Sequence, residues 1–183
     1  MKGVVFTEFM EMVEQTFSAN MLDDVIDDAQ LPNGGAYTAV GTYDHSELVR
    51  MVVALSGRTK VPVPQLVHAF GNHMFGRFHQ LFPAFFQGVP DVVTFLNGIE
   101  DIIHAEVRKL YPDAQLPQFE CQRTPQGLDM VYLSPRHFED LAHGLIEGAI
   151  AHWGGGYSVQ RESLPDGKVL FRLVRTATGA AAA

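Results

Sequence analysis

The spacing of apolar residues changes near Pro117, and this change limits the possible folds more than any other feature of the sequence. Before it, apolar residues recur at the three- and four-residue intervals of amphipathic helices, as Phe6, Phe9 and Val13 do. After it, four segments alternate apolar and polar residues and are predicted as strands: QFECQRT, LDMVYLS, GYSVQRES and KVLFRLV. Between the second and third of them, a helix is predicted over PRHFEDLAHGLIEGAIAHW. We therefore predict an α+β fold, in which an N-terminal helical subdomain is followed by a small antiparallel sheet of about four strands with one inserted helix.

Composition narrows the class of protein. The chain has 183 residues, of which 46% are hydrophobic, and it is predicted to form one domain with a sizeable core. Its formal net charge of −8 argues against nucleic acid as a partner, because such a partner requires clustered basic residues. The single cysteine, Cys121, excludes an internal disulfide and a four-thiolate metal site. We expect Cys121 to be a buried thiol rather than a redox switch.

The sequence also indicates where in the cell the protein is located. The opening segment MKGVVFTEFMEMVEQTF carries three glutamates within its apolar pattern, so it is predicted to be an amphipathic helix and not a signal peptide. No stretch is apolar and long enough to cross a bilayer. Together with the low cysteine content, these features predict a cytoplasmic protein that has no membrane partner.

A row of polar side chains lies near the end of the second predicted strand. Tyr132, Ser134 and Arg136 occupy alternate positions, so they lean to one side of the strand. A guanidinium and two hydroxyls on one face are donors suited to carboxylate or phosphate groups. The same alternation is ordinary for the solvent face of an antiparallel strand, so spacing alone leaves both interpretations open.

The segment from about Pro90 to Leu110 is predicted to be one buried helix, because apolar residues cover a broad face of it. His104 falls at the edge of that face, and Glu100, one turn earlier, is the only carboxylate on its side. A histidine at such a position is typical of a core or half-exposed residue. It also meets the needs of a heme pocket, where a neutral imidazole binds iron among apolar neighbours.

Several segments together resemble the heme-nitric oxide/oxygen-binding (H-NOX) family: the Tyr-x-Ser-x-Arg row, the upstream histidine, YPDAQLPQF, the opening MKGVVF, and GLIEG. The resemblance extends to about Arg175 and implies a bacterial stand-alone gas sensor related to the heme domain of soluble guanylate cyclase. It implies that residues 1–175 form a single heme-binding domain, and that a heme b is buried between its helical and sheet parts. Residues 176–183 are expected to be a disordered tail or an expression remnant.

The resemblance also assigns roles to individual residues. It implies that His104 is the axial ligand of the heme iron. Tyr132, Ser134 and Arg136 are implied to bind the two heme propionates, which would explain why three donors share one side of the strand. Pro117 is implied to press on the macrocycle and distort it.

The distal face of the heme is where this sequence differs from part of the family. Oxygen-binding members place a tyrosine on the helix after the propionate motif, whereas this chain has Leu141, and Leu145, Val5 and Phe9 are predicted to complete an apolar wall. A hydrogen bond from such a donor stabilises bound oxygen by about 1.5–3 kcal/mol, and nitric oxide and carbon monoxide depend less on it. We therefore predict binding of nitric oxide and carbon monoxide with discrimination against oxygen. The alternative is that Tyr37, Tyr43, His73 or another polar group enters the pocket from elsewhere.

Signalling is predicted to occur in trans, because the chain has no room for a second catalytic domain. The resemblance implies a five-coordinate ferrous heme, rupture of the iron–His104 bond by nitric oxide, and a shift of the helical half against the sheet half. It implies that the partner is a histidine kinase or a cyclic-di-nucleotide enzyme, that is, a diguanylate cyclase or phosphodiesterase. The chain itself is not expected to be an enzyme.

Two other functions are compatible with the residues. A hydrolase or transferase would use Arg136 to bind a phosphorylated substrate, His104 as base and Ser134 as nucleophile. The sequence has no Gly-rich phosphate loop and no G-x-S-x-G motif, and no acid is expected to orient His104. The second is a heme protein that stores gas without signalling.

The other seven histidines show no H-E-x-x-H or paired-cysteine spacing, which predicts that no zinc site is present.

Overall fold

The computed structural model describes residues 1–176. The α-helices within this range are α1 (Gly3–Thr16), α2 (Ala19–Ala29), α3 (His45–Thr59), α4 (Val63–Leu81), α5 (Val92–Asn97), α6 (Ala105–Leu110) and α7 (Glu139–His152). The strands are β1 (Gln118–Thr124), β2 (Gly127–Leu133), β3 (Tyr157–Ser163) and β4 (Val169–Arg175). A π-helical segment spans Ile99–His104, and short 3-10 turns span Pro83–Phe85 and Pro165–Gly167. The predicted α+β class, with one helix inserted into the strand series, is confirmed.

The predicted tail, residues 176–183, lies outside the described residues from 177 onward. None of the helices within residues 1–176 combines the length and the apolar composition that a bilayer crossing requires.

The four strands form one antiparallel sheet in the order β1-β2-β4-β3. The inner strand β2 pairs on one side with β1, where Tyr132 lies opposite Phe119, and on the other with β4, where Tyr132 lies opposite Val169. Alternate residues of β2 are buried, as expected for a strand with one face on a core. Tyr132 belongs to the buried set, so the polar row begins on the inner face of the sheet.

Two hydrophobic clusters fill the interior. The N-terminal core is formed by α1 to α4 and includes the fully buried Phe9 and Met51. The C-terminal core joins the inner face of the sheet to α5 and α7 and includes the fully buried Leu128 and Phe171. Leu145 on α7 packs against both clusters, so α7 connects the helical part to the sheet.

Helices α4 and α7 approach each other closely because glycines lie where they cross. A Cβ atom at Gly144 would lie 2.0 Å from the carbonyl oxygen of His68, and one at Gly71 would lie 2.3 Å from the carbonyl oxygen of Leu141. Both distances are far below van der Waals contact, so any larger residue would force the helices apart. The crossing therefore fixes the position of α7, which carries Leu141 and Leu145.

Gly144→Ala is expected to destabilise the protein, because the added methyl group meets backbone that cannot yield without separating the helices. We expect a loss of about 1–3 kcal/mol in the free energy of unfolding, measured by urea denaturation. Gly76→Ala is the matched control on α4, since nothing lies within 4 Å of a Cβ atom there and alanine favours the helix. A Gly144→Ala protein as stable as Gly76→Ala would contradict this close packing.

The prediction of one buried helix from about Pro90 to Leu110 is wrong in two respects. The helix is interrupted, and some of its apolar residues are exposed. The π-helical segment Ile99–His104 separates α5 from α6, and Ile102 and Leu110 are 55% and 62% exposed. A π-helical turn contains more residues than an α-helical turn, so it rotates later residues off the stripe that a period of 3.6 predicts. Such segments are frequent at functional sites, and this one ends at His104.

Candidate heme site

His104 is held by a carboxylate from its own segment. Its side chain is 11% exposed, and Nδ1 lies 2.9 Å from Glu100 Oε1. Because an ionised carboxylate only accepts hydrogen bonds, Nδ1 carries the proton and Nε2 keeps a free lone pair. Burial lowers the pKa of His104 despite the neighbouring carboxylate, so the imidazole is neutral at pH 7. The neutral imidazole is the form that binds a metal.

Glu100 is the centre of a small hydrogen-bond network. Besides contacting His104, it accepts from the Arg108 guanidinium at 3.0 Å and from the backbone N–H of Phe119 at 3.0 Å. Burial raises the pKa of Glu100, but the hydrogen bonds from His104 and Arg108 outweigh this effect and keep the pKa below its ordinary value. The expectation that no acid orients His104 is therefore wrong. A carboxylate on the second ring nitrogen fixes the orientation of a ligating histidine and raises its basicity.

The polar row at the end of β2 is mostly buried. Tyr132 and Ser134 are 3% and 7% exposed, so these two hydroxyls do not lie on a solvent face. Burial raises the pKa of Tyr132, so its phenol keeps its proton and can donate. The backbone N–H of Arg136 donates to Ser134 Oγ at 3.3 Å, and its guanidinium donates to the carbonyl and side-chain oxygens of Gln115 at 2.7 and 2.8 Å. The row therefore presents two buried hydroxyls and one guanidinium that is held by a neighbouring loop.

Phe119 on β1 is a common neighbour of the two predicted parts of the site. Its ring centroid lies 6.0 Å from that of His104 and 5.4 Å from that of Tyr132. The structure thus brings His104 and the start of the polar row to the same region beside β1. Pro117 is half-buried two residues before Phe119, and its role stays a prediction.

The four residues predicted to form the distal wall belong to one apolar cluster. Phe9 is fully buried in the N-terminal core, and its ring meets that of Phe70 edge to face with centroids 5.2 Å apart. Val5, Leu141 and Leu145 are half-buried and pack against the same core. The cluster therefore combines residues from α1, α4 and α7, as an apolar wall requires.

Two of the three polar side chains considered for the distal pocket are engaged elsewhere. The Tyr37 hydroxyl donates to Glu47 at 2.7 Å, and the Tyr43 hydroxyl accepts from the backbone N–H of Thr38 at 2.9 Å. His73 differs, because its Nε2 is buried without a hydrogen-bond partner among the described residues. Of these three named side chains, His73 is the one whose polar atom makes no hydrogen bond among the described residues.

Three features of the site were not predicted from sequence. The Glu100 contact had a local signal, since Glu100 precedes His104 by four residues, but the binding of Phe119 and Arg108 to the same carboxylate had none. The contact between Arg136 and Gln115 joins residues that are distant along the chain. Such pairings follow from strand register and loop path, which apolar spacing does not encode.

A family model described as Haem-NO-binding matches residues 2–161. The chain belongs to the H-NOX family. None of the curated proteins compared with this chain matches it.

Solved H-NOX structures share the fold over nearly their whole length. The unliganded Fe(II) H-NOX protein from K. algicida is 33% identical, with a TM-score of 0.89 over 96% of this chain and 97% of that chain. The H-NOX from Shewanella woodyi, bound to IWP-051 in the Fe(II)CO state, is 36% identical, with a TM-score of 0.85 over 98% and 96% of the two chains. An H-NOX protein from S. oneidensis in the Fe(II)NO state is 26% identical, with a TM-score of 0.84 over 94% and 99%.

The donor set of this chain fits the heme that H-NOX domains bind. A neutral, carboxylate-oriented imidazole suits iron, as the free Nε2 of His104 provides. Two buried hydroxyls and a guanidinium suit the carboxylates of the propionates. The chain is accordingly a member of a family of heme-based gas sensors.

Proposed function

We propose that residues 1–175 form a heme b sensor of nitric oxide, which also binds carbon monoxide and discriminates against oxygen. The observation that carries the proposal is the contact between Glu100 and His104 Nδ1, because it leaves Nε2 free and the ring fixed. Family membership supports heme as the ligand.

In this proposal His104 is the axial ligand, and Tyr132, Ser134 and Arg136 bind the propionates. A bound ferrous heme supplies an iron atom with an open position for a gas. The chain fixes the orientation of the ligand ring through Glu100, and it provides hydrogen-bond donors for two carboxylates at the end of β2. Arg136 can exchange its contacts with Gln115 for a propionate, since that loop lies at the surface.

The apolar composition of the distal cluster supports selectivity between gases. Val5, Phe9, Leu141 and Leu145 offer no hydrogen-bond donor in their side chains. Oxygen gains more from a donor than nitric oxide or carbon monoxide does, so an apolar wall weakens oxygen binding selectively. Relatives solved with nitric oxide and carbon monoxide at Fe(II) support these two gases as ligands.

His104 also supplies the connection between gas binding and the fold. It ends the π-helical segment, and Glu100 ties that segment to β1 through the N–H of Phe119. In the proposal, loss of the bond between His104 and a bound heme would free this segment and would let the helical part shift against the sheet as a rigid body. A cytoplasmic histidine kinase, or a diguanylate cyclase or phosphodiesterase, reads that shift in trans, and the chain itself catalyses no reaction.

The alternative hydrolase or transferase is weaker, because the chain belongs to a heme-binding family. Storage of gas without signalling differs from the proposal only in its effect on a partner. A change in the activity of a co-purified kinase or cyclic-di-nucleotide enzyme on addition of nitric oxide separates the two.

The gas selectivity is tested by absorption spectra of the reduced, heme-loaded protein. Nitric oxide and carbon monoxide are each expected to shift the Soret band, while air-equilibrated protein keeps the unliganded spectrum until it oxidises. His73→Leu serves as the control, since it removes the ring nitrogen that has no hydrogen bond among the described residues. A stable oxygen-bound spectrum in the wild-type protein would overturn the proposed selectivity.

A further inference from the structure

Three side chains of metal-ligating types converge at the α4–α7 crossing. His68 on α4 has its Nε2 3.1 Å from Glu147 Oε2 on α7, and His143 on α7 has its Nε2 3.4 Å from Glu147 Oε1. One ligand atom from each of the three residues lies within 4.8 Å of the other two. None of these residues belongs to the proposed heme site.

The convergence follows from the packing of the two helices. His143 and Glu147 are one turn apart and therefore share a face of α7. The absence of a side chain at Gly144 brings α7 against the carbonyl oxygen of His68, which places that residue beside His143. The rings of His68 and His143 meet edge to face with centroids 4.9 Å apart. The glycine crossing thus holds both imidazoles and the carboxylate in a fixed relation.

One nitrogen of the cluster has no hydrogen-bond partner within residues 1–176. Nε2 of His143 is buried and has no hydrogen-bond partner there, although Glu147 Oε1 is only 3.4 Å away. A buried polar atom without a partner costs free energy, so its orientation toward the carboxylate calls for an explanation. The nearby Arg161 does not supply a donor to the cluster, because it pairs with Glu139 and Asp140.

We propose that His68, His143 and Glu147 bind a divalent first-row metal ion, with Zn²⁺ the best fit. Zinc sites with three protein ligands commonly use two histidines and one carboxylate and keep a fourth position for water. Bonds of about 2.0–2.1 Å in a tetrahedral site separate neighbouring ligand atoms by roughly 3.3 Å. His68 Nε2 lies 3.1 Å from Glu147 Oε2, and His143 Nε2 lies 3.4 Å from the other carboxylate oxygen, Oε1, so each imidazole is near that distance from one oxygen of the carboxylate.

An ion can reach the cluster from solvent. The side chains of His68 and Glu147 are 33% and 42% exposed, while that of His143 is 21% exposed. A bound ion would crosslink α4 to α7, which is the contact that positions the distal residues Leu141 and Leu145. Because the ion binds the folded state, it should raise the melting temperature.

The sequence expectation that the other histidines form no zinc site was based on linear motifs. Two of the three ligands lie four residues apart on α7, and the third comes from α4, so no short motif contains the set. The cluster became recognisable only once the helix crossing was known.

The test is isothermal titration calorimetry of the heme-loaded protein with Zn²⁺, followed by thermal unfolding with and without the ion. We expect one saturable equivalent of Zn²⁺ and a raised melting temperature in the wild-type protein. Removal of a residue that only hydrogen-bonds to a metal ligand typically weakens metal binding about 10- to 100-fold. His68→Gln and Glu147→Gln remove proposed ligands themselves, so each should weaken Zn²⁺ binding at least about tenfold.

A second histidine pair on the same two helices provides the matched control. His79 and His152 have ring centroids 4.3 Å apart and are not part of the cluster. The variant carrying both His79→Gln and His152→Gln should bind Zn²⁺ as the wild type does. The proposal is overturned if the wild type shows no saturable binding, if His68→Gln and Glu147→Gln bind as tightly as wild type, or if only the control loses affinity. These results do not depend on the gas spectra, so failure here leaves the proposed sensor function intact.

Discussion

Leu141→Tyr is expected to raise the oxygen affinity of the reduced, heme-loaded protein by up to about a hundredfold. The reason is that the new phenol places a hydrogen-bond donor in an apolar cluster formed with Val5, Phe9 and Leu145. A hydrogen bond to a ligand that gathers negative charge contributes about 1.5–3 kcal/mol, and each 1.4 kcal/mol corresponds to a tenfold change in affinity. Oxygen titration followed at the Soret band measures the change.

Leu141→Phe is the matched control, because it adds the same ring without the hydroxyl. Any change caused by volume or by displacement of α7 should appear in both variants, so the difference between them isolates the donor. Carbon monoxide affinity should differ little between the two. Equal oxygen affinity in the tyrosine and phenylalanine variants would show that position 141 does not face the bound gas.

Glu100→Ala is expected to weaken heme binding about 10- to 100-fold, the range typical for loss of a partner that orients a metal-ligating histidine. The substitution removes the acceptor for His104 Nδ1 and also releases Arg108 and the N–H of Phe119. The imidazole then loses its fixed orientation and part of its basicity. Competition for hemin between the protein and a heme scavenger measures the loss.

Glu106→Ala controls for loss of an acidic side chain in the adjoining helix. Glu106 pairs with Lys109 on the surface and makes no described contact with His104. Circular dichroism checks that both variants keep their helices and strands. If both variants lose heme to the same extent, Glu100 has no specific role in orienting His104.

The order of helices and strands and the kinds of side chain at the site could be predicted from sequence, because both depend on the spacing of residues over short stretches of chain. Alternation predicts Tyr132, Ser134 and Arg136 on one strand, but only Tyr132 lies within β2, which ends at Leu133. Tyr132 and Ser134 are both buried, whereas Arg136 follows in a turn. The change of period near Pro117 separated the helical part from the sheet. Both are short-range properties of the chain.

The remaining features depend on contacts between distant residues. The pairing of β1 with β2 places Phe119 opposite Tyr132, and the ring of Phe119 also lies 6.0 Å from that of His104. The π-helical segment was missed because its apolar residues still fit an α-helical period. The Glu100 network and the histidine cluster at the α4–α7 crossing likewise require the tertiary structure.

The most direct test of the central claim is a hemin titration of the purified protein, followed by reduction with dithionite and an absorption spectrum. If His104 provides the axial nitrogen of a five-coordinate ferrous heme, one equivalent of hemin should bind and give a single broad Soret band after reduction. His104→Gly should lose that spectrum, and added imidazole should restore it. A protein that stays colourless with hemin, or a His104→Gly spectrum identical to that of the wild type without imidazole, would contradict the claim.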